Sequence, residues 1–358
     1  MHPFVYNANP GRVIFGPGSH SLIASEIQAM NAGKALVLAT PSQSEAAHRL
    51  SDQLGELSAG VFDQAVMHVP IETAKAGIEA ADKMNAGCTI AVGGGSTIGL
   101  AKAIALETGK PILAVPTTYA GSEMTPIWGL TEEGVKTTGR DPKVLPRTVI
   151  YDPELLVTLP DFITGPSGMN AIAHCVEALY AENANPIISM MAEEGIRAIG
   201  RSLENAVKQQ EDIAARSDTL YGAWLAGASL GAVGMALHHK LCHTLGGSFN
   251  LPHAEVHTII IPYVTAYNTL AAPDAIGRVA KALGVEKSED AAGALFDLNT
   301  AIGAKMTLSE LGMTEADLDK AADIATRNPY YNPRPITRES IRRLLDDAFH
   351  GRRPNVDQ

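Results

Sequence analysis

The sequence predicts an α/β domain, with a parallel sheet and helices on both faces, followed by an all-α domain. Three observations predict it. From Arg12 to about residue 155 short β-branched runs alternate with helical patterns, beyond that nearly every segment has helical period, and one strand-to-helix turn carries Gly93, Gly94 and Gly95 in a row. The 358 residues, 46% hydrophobic, suffice for two ordinary domains, each with its own core. They are predicted as 1–157 and 158–358, with the boundary inside the stretch 153–162.

In chain order, "KALVLAT" (34–40) reads as a strand, "SEAAHRLSDQL" (44–54) as a helix and "VFDQAVMHV" (61–69) as a strand. "TAKAGIEAADKM" (73–84) is a helix, "CTIAVGG" (88–94) a strand, "STIGLAKAIALETG" (96–109) a helix and "PILAVPT" (111–117) a strand. Such alternation makes neighbouring strands parallel. "TEEGVKTT" (131–138) reads as a small hairpin and "RTVIYDP" (147–153) as a last strand; helices follow over 167–182, 187–208 and 211–244, with shorter ones from 254 onward. No long linker separates the halves, so they are expected to pack directly, with a ligand cleft between them.

A formal charge of -11 without a Lys/Arg run argues against nucleic acid and anionic membrane surfaces as partners. Cys88, Cys175 and Cys242 are too few and scattered for a disulfide framework, and "MHPFVYNANPGRVIF" lacks the pattern of a signal peptide. A cytoplasmic location is the expectation. "TLYGAWLAGASLGAVGMAL" (219–237) carries no charge over 19 residues, long enough for a membrane span. Its Gly, Ala and Ser content reads instead as a buried central helix packed closely by its neighbours.

The glycine turn "GGGST" follows an apolar strand and opens a helix. Gly93, Gly94, Gly95, Ser96 and Thr97 are candidate pyrophosphate contacts, because glycine lets backbone approach an anion and a helix N-terminus attracts it. The pattern is neither G-x-G-x-x-G nor a P-loop, and a purely structural turn reads the same way by itself. "PTTYAGSEMT" (116–125) adds the hydroxyls of Thr117 and Thr118 at a second strand end.

Histidines supply the other candidate site. Asn170 and His174 are four residues apart, as are His239 and His243, so each pair shares a helix face; His253 follows past a "GGSFNLP" turn. Any one of them is ordinarily a hydrogen-bonded core histidine. Five histidines between 238 and 257 fit that reading less well. Three neutral imidazoles and a carboxylate would leave a divalent ion at net +1, whereas Asn170 leaves the full 2+ and a weaker ligand. No metal is expected there, and the imidazoles become hydrogen-bond and proton donors for an anionic substrate.

Six stretches together carry a resemblance: "FGPGS" (15–19), "GGGSTIGLAKAIA" (93–105), "PTTYAGSE" (116–123), "DPKVLPRTVIYDPELLVTLP" (141–160), "GMNAIAHCVEA" (168–178) and "HHKLCHTLGGSFNLPHAEVHTIIIPYV" (238–264). In this order they resemble the iron-containing alcohol dehydrogenase superfamily, of dehydroquinate synthase-like architecture, over essentially the whole chain. The resemblance implies a dinucleotide-binding N-terminal domain, an all-helical catalytic domain and a homodimer. The Asp and three His that ligate metal in metal-dependent members fall on Asn170, His174, His239 and His253; His243 falls on the histidine near the nicotinamide. Lys143, in "DPKVLP", falls where the cofactor ribose is contacted.

Asn170, the tyrosine of "PTTYAGSEMTPIWG" and the late "NPYYNPRPITRESIRRLL" (328–345) are similar to one branch of that superfamily. This branch reduces the carbon–carbon double bond of a small enone dicarboxylate in aromatic compound catabolism. Thr40, in "LVLATPSQ", stands where many NAD-specific relatives place an Asp, so NADPH is expected to be accepted beside NADH. His243 is expected as proton donor or polariser, with His174, His239, His253 and Asn170 holding substrate oxygens. Lys240, Arg327, Arg334 and Arg338 are candidate carboxylate partners, each ordinarily a solvated charge. The rival readings are a metal-dependent alcohol or polyol dehydrogenase, a dehydroquinate synthase-like lyase, and a non-catalytic nucleotide-binding protein.

Overall fold

The structure is a computed structural model describing residues 4, 6, 8, 9, 11–133 and 135–356. Two compact units part between Leu159 and Pro160. Of the start of the chain, read above for a leader, Met1, His2, Pro3, Val5, Asn7 and Pro10 lie outside the described residues, as does Gly134 of the expected hairpin.

In the first unit the elements run β1 (Arg12–Phe15), α1 (Ile23–Met30), β2 (Ala35–Leu38), α2 (Ser44–Leu54), β3 (Ser58–Phe62), α3 (Ile71–Lys83), β4 (Cys88–Gly93), α4 (Gly95–Thr108), β5 (Ile112–Pro116), β6 (Ile127–Glu132), β7 (Val135–Arg140) and β8 (Thr148–Tyr151). Six strands form a parallel sheet in the order β1-β8-β5-β4-β2-β3. The inner strands are buried on both faces, which is why "ALVL" and "ILAVP" are continuous apolar runs. From β2 the chain steps outward to β3 and then back past β2 to β4, so the ends of β2 and β4 flank the switch point where α/β sheets bind ligands.

Two details differ from expectation. The strand expected at 61–69 is Ser58–Phe62, ending where its partner β2 ends with Leu38 opposite Phe62; further on, His68 (φ 65) and Val69 (φ 47) take left-handed backbone that no strand can use. The hairpin is longer than 131–138, with β6 pairing antiparallel to β7 from Ile127 opposite Arg140 to Glu132 opposite Val135.

The second unit is helical: α5 (Asp161–Tyr180), α6 (Pro186–Lys208), α7 (Ile213–Ala232), α8 (Leu237–Phe249), α9 (His253–Asn268), α10 (Pro273–Ala282), α11 (Ala291–Ala301), α12 (Asp317–Ala325) and α13 (Arg338–His350). The single helix expected over 211–244 is two helices, α7 and α8, bent by 95°. The break has identifiable partners: Asn183 Oδ1 accepts from Gly234 N at 2.8 Å, and Glu177 accepts from the N–H groups of Ala236 (2.8 Å) and His238 (2.6 Å). The N-cap residue Ala236 supplies no side-chain cap, so the buried carboxylate of α5 caps α8 and ends α7.

The uncharged stretch 219–237 is explained by packing. A Cβ on Gly222 would stand 2.8 Å from Gly195 O and 2.5 Å from Ile199 Cγ1, so α7 and α6 approach at backbone distance. No single helix among the described residues is long and apolar enough to cross a membrane. A core containing Leu241, Leu245, Val256, Ile260, Leu318 and Leu344 joins α8, α9, α12 and α13. Each such side chain contributes about 1.5–3 kcal/mol by burial.

Candidate active site

β4 passes into α4 through the glycine turn. Gly93 has φ 151, and a Cβ there would meet Thr97 Oγ1 at 2.5 Å; one on Gly94 would meet Thr118 Cγ2 at 3.0 Å, while Gly95 faces open space. α4 starts without a capping side chain, leaving its first N–H groups for an anion. Thr97 Oγ1 is buried and without a protein partner. Thr117 N donates to Gly93 O at 3.1 Å, docking the end of β5 on the turn. Gly93, Gly94, Gly95, Ser96, Thr97, Thr117 and Thr118 thus form one cradle whose donors suit a pyrophosphate.

Thr40 stands at the end of β2, its Oγ1 3.0 Å from Ser42 Oγ and 3.2 Å from Gln43 Oε1. Gln43 Oε1 would in turn be 3.1 Å from a Cβ on Gly93, so Thr40 and Gln43 edge the same cradle. Asp63, at the end of the neighbouring β3, is held by the Ser44 hydroxyl. Lys143 lies on a short turn against α4, its ammonium 3.9 Å from Asp141 Oδ2 and largely exposed.

Sequence reasoning missed the brace beneath this cradle. Lys102 Nζ on α4 donates to Ser122 O (2.7 Å), Thr125 O (2.8 Å), Thr125 Oγ1 (2.9 Å) and Ile127 O (2.7 Å). Burial pulls its pKa down to about 7, whereas four acceptors around one nitrogen suit the three-donor ammonium; the acceptor count decides for the charged form. Glu123 is buried beside it and accepts from Tyr151 OH at 2.8 Å. The visible signal was one lysine in the middle of α4 with apolar residues on both sides, in "GLAKAIAL".

In the helical unit α5 presents Asn170, His174 and Glu177 on one face, α8 presents His239 and His243, and α9 opens with His253 and carries His257 one turn on. The rings form a chain: His174 lies 5.1 Å from His239, His239 4.9 Å from His257, and His257 4.4 Å from His253, centroid to centroid. His243 stacks at 6.3 Å on His253, both rings exposed at the rim. The floor is buried: Asn170 Oδ1, His174 Nδ1, His239 Nε2 and His257 Nε2 have no protein partner. Burial, then the neighbouring imidazoles, hold His174, His238 and His257 well below the ordinary histidine range, so these three are neutral.

Glu177 was the main residue missed here. Its Oε2 lies 2.6 Å from His239 Nδ1; a carboxylate only accepts, so Nδ1 carries the proton and Nε2 faces the floor. His257 was unassigned by sequence and proves central, with Nδ1 2.8 Å from His238 Nε2. Tyr330 was also missed: its hydroxyl is 3.3 Å from His243 Nδ1. Of the candidate carboxylate partners, Arg338 is bound to Asp319 (2.8 Å) and Asp323 (2.6 Å), and Arg334 lies 4.2 Å over the Tyr267 ring.

As ligands for a divalent ion these residues fit poorly. Asn170 is a neutral amide where a carboxylate would reduce the charge. Among the described residues, three ligand atoms of His, Cys, Asp or Glu lie within 4.8 Å of one another at two places, His238–Cys242–His257 and His20–Asp152–Glu154. Neither is His174–His239–His253. At the first place the facing atoms are already engaged with each other, at 2.8 Å and 3.5 Å.

Comparison with known proteins agrees along the whole chain. Residues 10–153 match the model of the iron-containing alcohol dehydrogenase family and residues 164–349 that of the C-terminal part of the Fe-containing alcohol dehydrogenase family. A maleylacetate reductase of Burkholderia cepacia is 56% identical over 355 residues, 99% of this chain and 100% of its own. The crystal structure of maleylacetate reductase from Agrobacterium tumefaciens superposes with TM-score 0.96 at 51% identity, covering 99% of this chain and 100% of that one. A putative alcohol dehydrogenase from Ralstonia eutropha has TM-score 0.96 at 57% identity, with the same coverage.

Proposed function

The chain belongs to the iron-containing alcohol dehydrogenase family, and we propose that it is a metal-independent reductase of maleylacetate, using NADH or NADPH to form 3-oxoadipate. The observation that carries this reading is Asn170. It shares a face with His174 beside buried imidazoles, yet brings no charge to hold an ion, so the pocket is left with neutral hydrogen-bonding groups. The full-length likeness to maleylacetate reductases supports the substrate.

The reaction joins maleylacetate, NAD(P)H and one proton to give 3-oxoadipate and NAD(P)+. When bound, a reduced nicotinamide would supply the hydride needed at the alkene carbon β to the ketone. The cradle of Gly93, Gly94, Gly95, Ser96, Thr97, Thr117 and Thr118 would hold the pyrophosphate through backbone N–H groups and hydroxyls, and Lys143 would contact the ribose. Thr40, uncharged at the end of β2, leaves room for a 2'-phosphate.

The developing charge spreads over an enolate, which neutral donors and an imidazolium can stabilise without a Lewis acid. Asn170, His174 and His253 hold the substrate's oxygens, while Glu177 fixes the ring of His239 with Nε2 turned to the floor as an acceptor. His243, exposed at the rim where it can exchange protons with water, delivers the proton to the carbon α to the ketone. A cytoplasmic homodimer belongs to the same proposal, supported by the family and by three buried thiols without disulfides.

The test is NADH oxidation by maleylacetate with and without EDTA. Equal rates are expected. Activity lost to the chelator and restored by iron or zinc would favour the alcohol dehydrogenase reading; no NADH consumption would leave a nucleotide-binding protein. With NADPH the kcat/KM is expected within about tenfold of that with NADH, because no carboxylate of β2 repels the phosphate.

A further inference from the structure

The rim of the histidine pocket holds a cation without an acid. Lys240 Nζ sits 5.5 Å from the centroid of the Tyr330 ring, and among the described residues no Asp or Glu oxygen lies within ion-pair distance of it. It is one residue beyond His239 and three before His243 on α8, whose ring meets the Tyr330 hydroxyl at 3.3 Å. In a chain of formal charge -11, a cation held against the aromatic ring that meets His243 attracts anions.

Tyr330 is held in place in advance. Asn332 and Asn268 exchange amide hydrogen bonds at 2.9 Å and 2.7 Å, Tyr267 OH donates to Pro335 O at 2.6 Å, and Arg334 donates to Tyr267 O at 3.2 Å while covering its ring. These contacts tie the irregular 328–337 segment to the end of α9, so little ordering remains to be done when a ligand arrives. Burial raises the phenol above its ordinary pKa, keeping it a neutral O–H donor. Arg334 and Arg338 are committed elsewhere in the fold.

We propose that Lys240 and Tyr330 form the subsite for one terminal carboxylate of the substrate, Lys240 through its ammonium and Tyr330 through its hydroxyl. This rests on the dicarboxylate reading above and deepens it: the pair selects the acid end, while the buried floor handles the enone. The partition explains why a tyrosine from the C-terminal segment touches the proposed proton donor, since binding the carboxylate and aligning His243 become one event.

Adipate, a six-carbon dicarboxylate that cannot accept hydride, separates the subsite from turnover. It is titrated by calorimetry into the full chain loaded with NAD+, as wild type, Lys240→Met, Lys240→Arg and Tyr330→Phe. Lys240→Met is expected to weaken adipate about tenfold or more and Tyr330→Phe about fivefold, the effects of losing a charged and a neutral hydrogen bond. Lys240→Arg stays within about threefold of wild type, and all variants keep NAD+ affinity and melting temperature. Should Lys240→Met not fold, Lys240→Gln reads the same contact. Adipate affinities within twofold of wild type in Lys240→Met and Tyr330→Phe, or no adipate binding by wild type at millimolar concentration, overturn the proposal. A Lys240-dependent adipate site in a protein inert toward maleylacetate would sink the substrate reading and keep the subsite; turnover with adipate binding indifferent to Lys240 would do the reverse.

Discussion

Glu177 Oε2 and His239 Nδ1 stand 2.6 Å apart, both buried, and the same carboxylate receives the backbone N–H groups of Ala236 and His238 at the start of α8. One acid therefore fixes a helix terminus and orients a histidine on it.

Glu177→Gln replaces an acceptor-only group by one that must turn an N–H toward donors. Unfolding free energy is expected to fall by about 1–3 kcal/mol, and kcat/KM by roughly 10–100-fold, as for other supports of site histidines. Urea unfolding and steady-state kinetics with maleylacetate check both. Unchanged values would show that neither the cap nor the orientation depends on the charge.

Restoring an acid at position 170 should restore a metal site. Asn170→Asp puts a carboxylate beside neutral imidazoles, so zinc or iron affinity is expected to rise on the order of tenfold or more, measured by metal analysis after dialysis. Reduction of maleylacetate should fall, because an anion then faces an anionic substrate. A variant that retains no more metal than wild type would count against this account of the floor.

Acid should unfold this protein from higher pH than its carboxylates alone require. His174, His238 and His257 have folded pKa values depressed below the unfolded value of 6.5, with burial as the first cause. Between those values the unfolded chain binds more protons, so stability is complete above 6.5 and is lost as pH falls through the window below it. The slope is about 1.4 kcal/mol per pH unit for each histidine. Urea unfolding between pH 7.5 and 5.5 measures it; a flat profile would mean that these rings are charged in the fold.

The helix contact at Gly222 makes a sharp comparison. Gly222→Ala gains helix propensity but forces a Cβ against Gly195 O and Ile199, where overpacking costs about 1–3 kcal/mol. Gly277→Ala, on α10 with nothing within 4 Å of the added Cβ, should stabilise by up to about 1 kcal/mol. Thermal unfolding of the two variants should move in opposite directions.

The sheet, the glycine cradle and the histidine set were legible because period and spacing are local: β-branched runs end in glycine, and residues four apart share a face. What stayed hidden depends on partners far away in sequence. Gly234 alone does not break a helix; the bend comes from Asn183 and Glu177, more than fifty residues earlier. Glu177 reads as one acid in a helix, although its place seven residues after Asn170 and three after His174 put it on their face. Tyr330 meets His243 across 87 positions, and no periodicity reports that. Lys102 reads as one cation on the helix after the glycine turn, yet its four acceptors all lie on a later segment.

Glu177 grips α8 through main-chain N–H groups, and main chain is indifferent to which side chain occupies position 170. The scaffold of the pocket and the charge at its floor are thus separately adjustable. An ancestor with a carboxylate at 170 could lose it in one substitution while its helices stayed in place, leaving a ready-made nest of imidazoles open to a different chemistry.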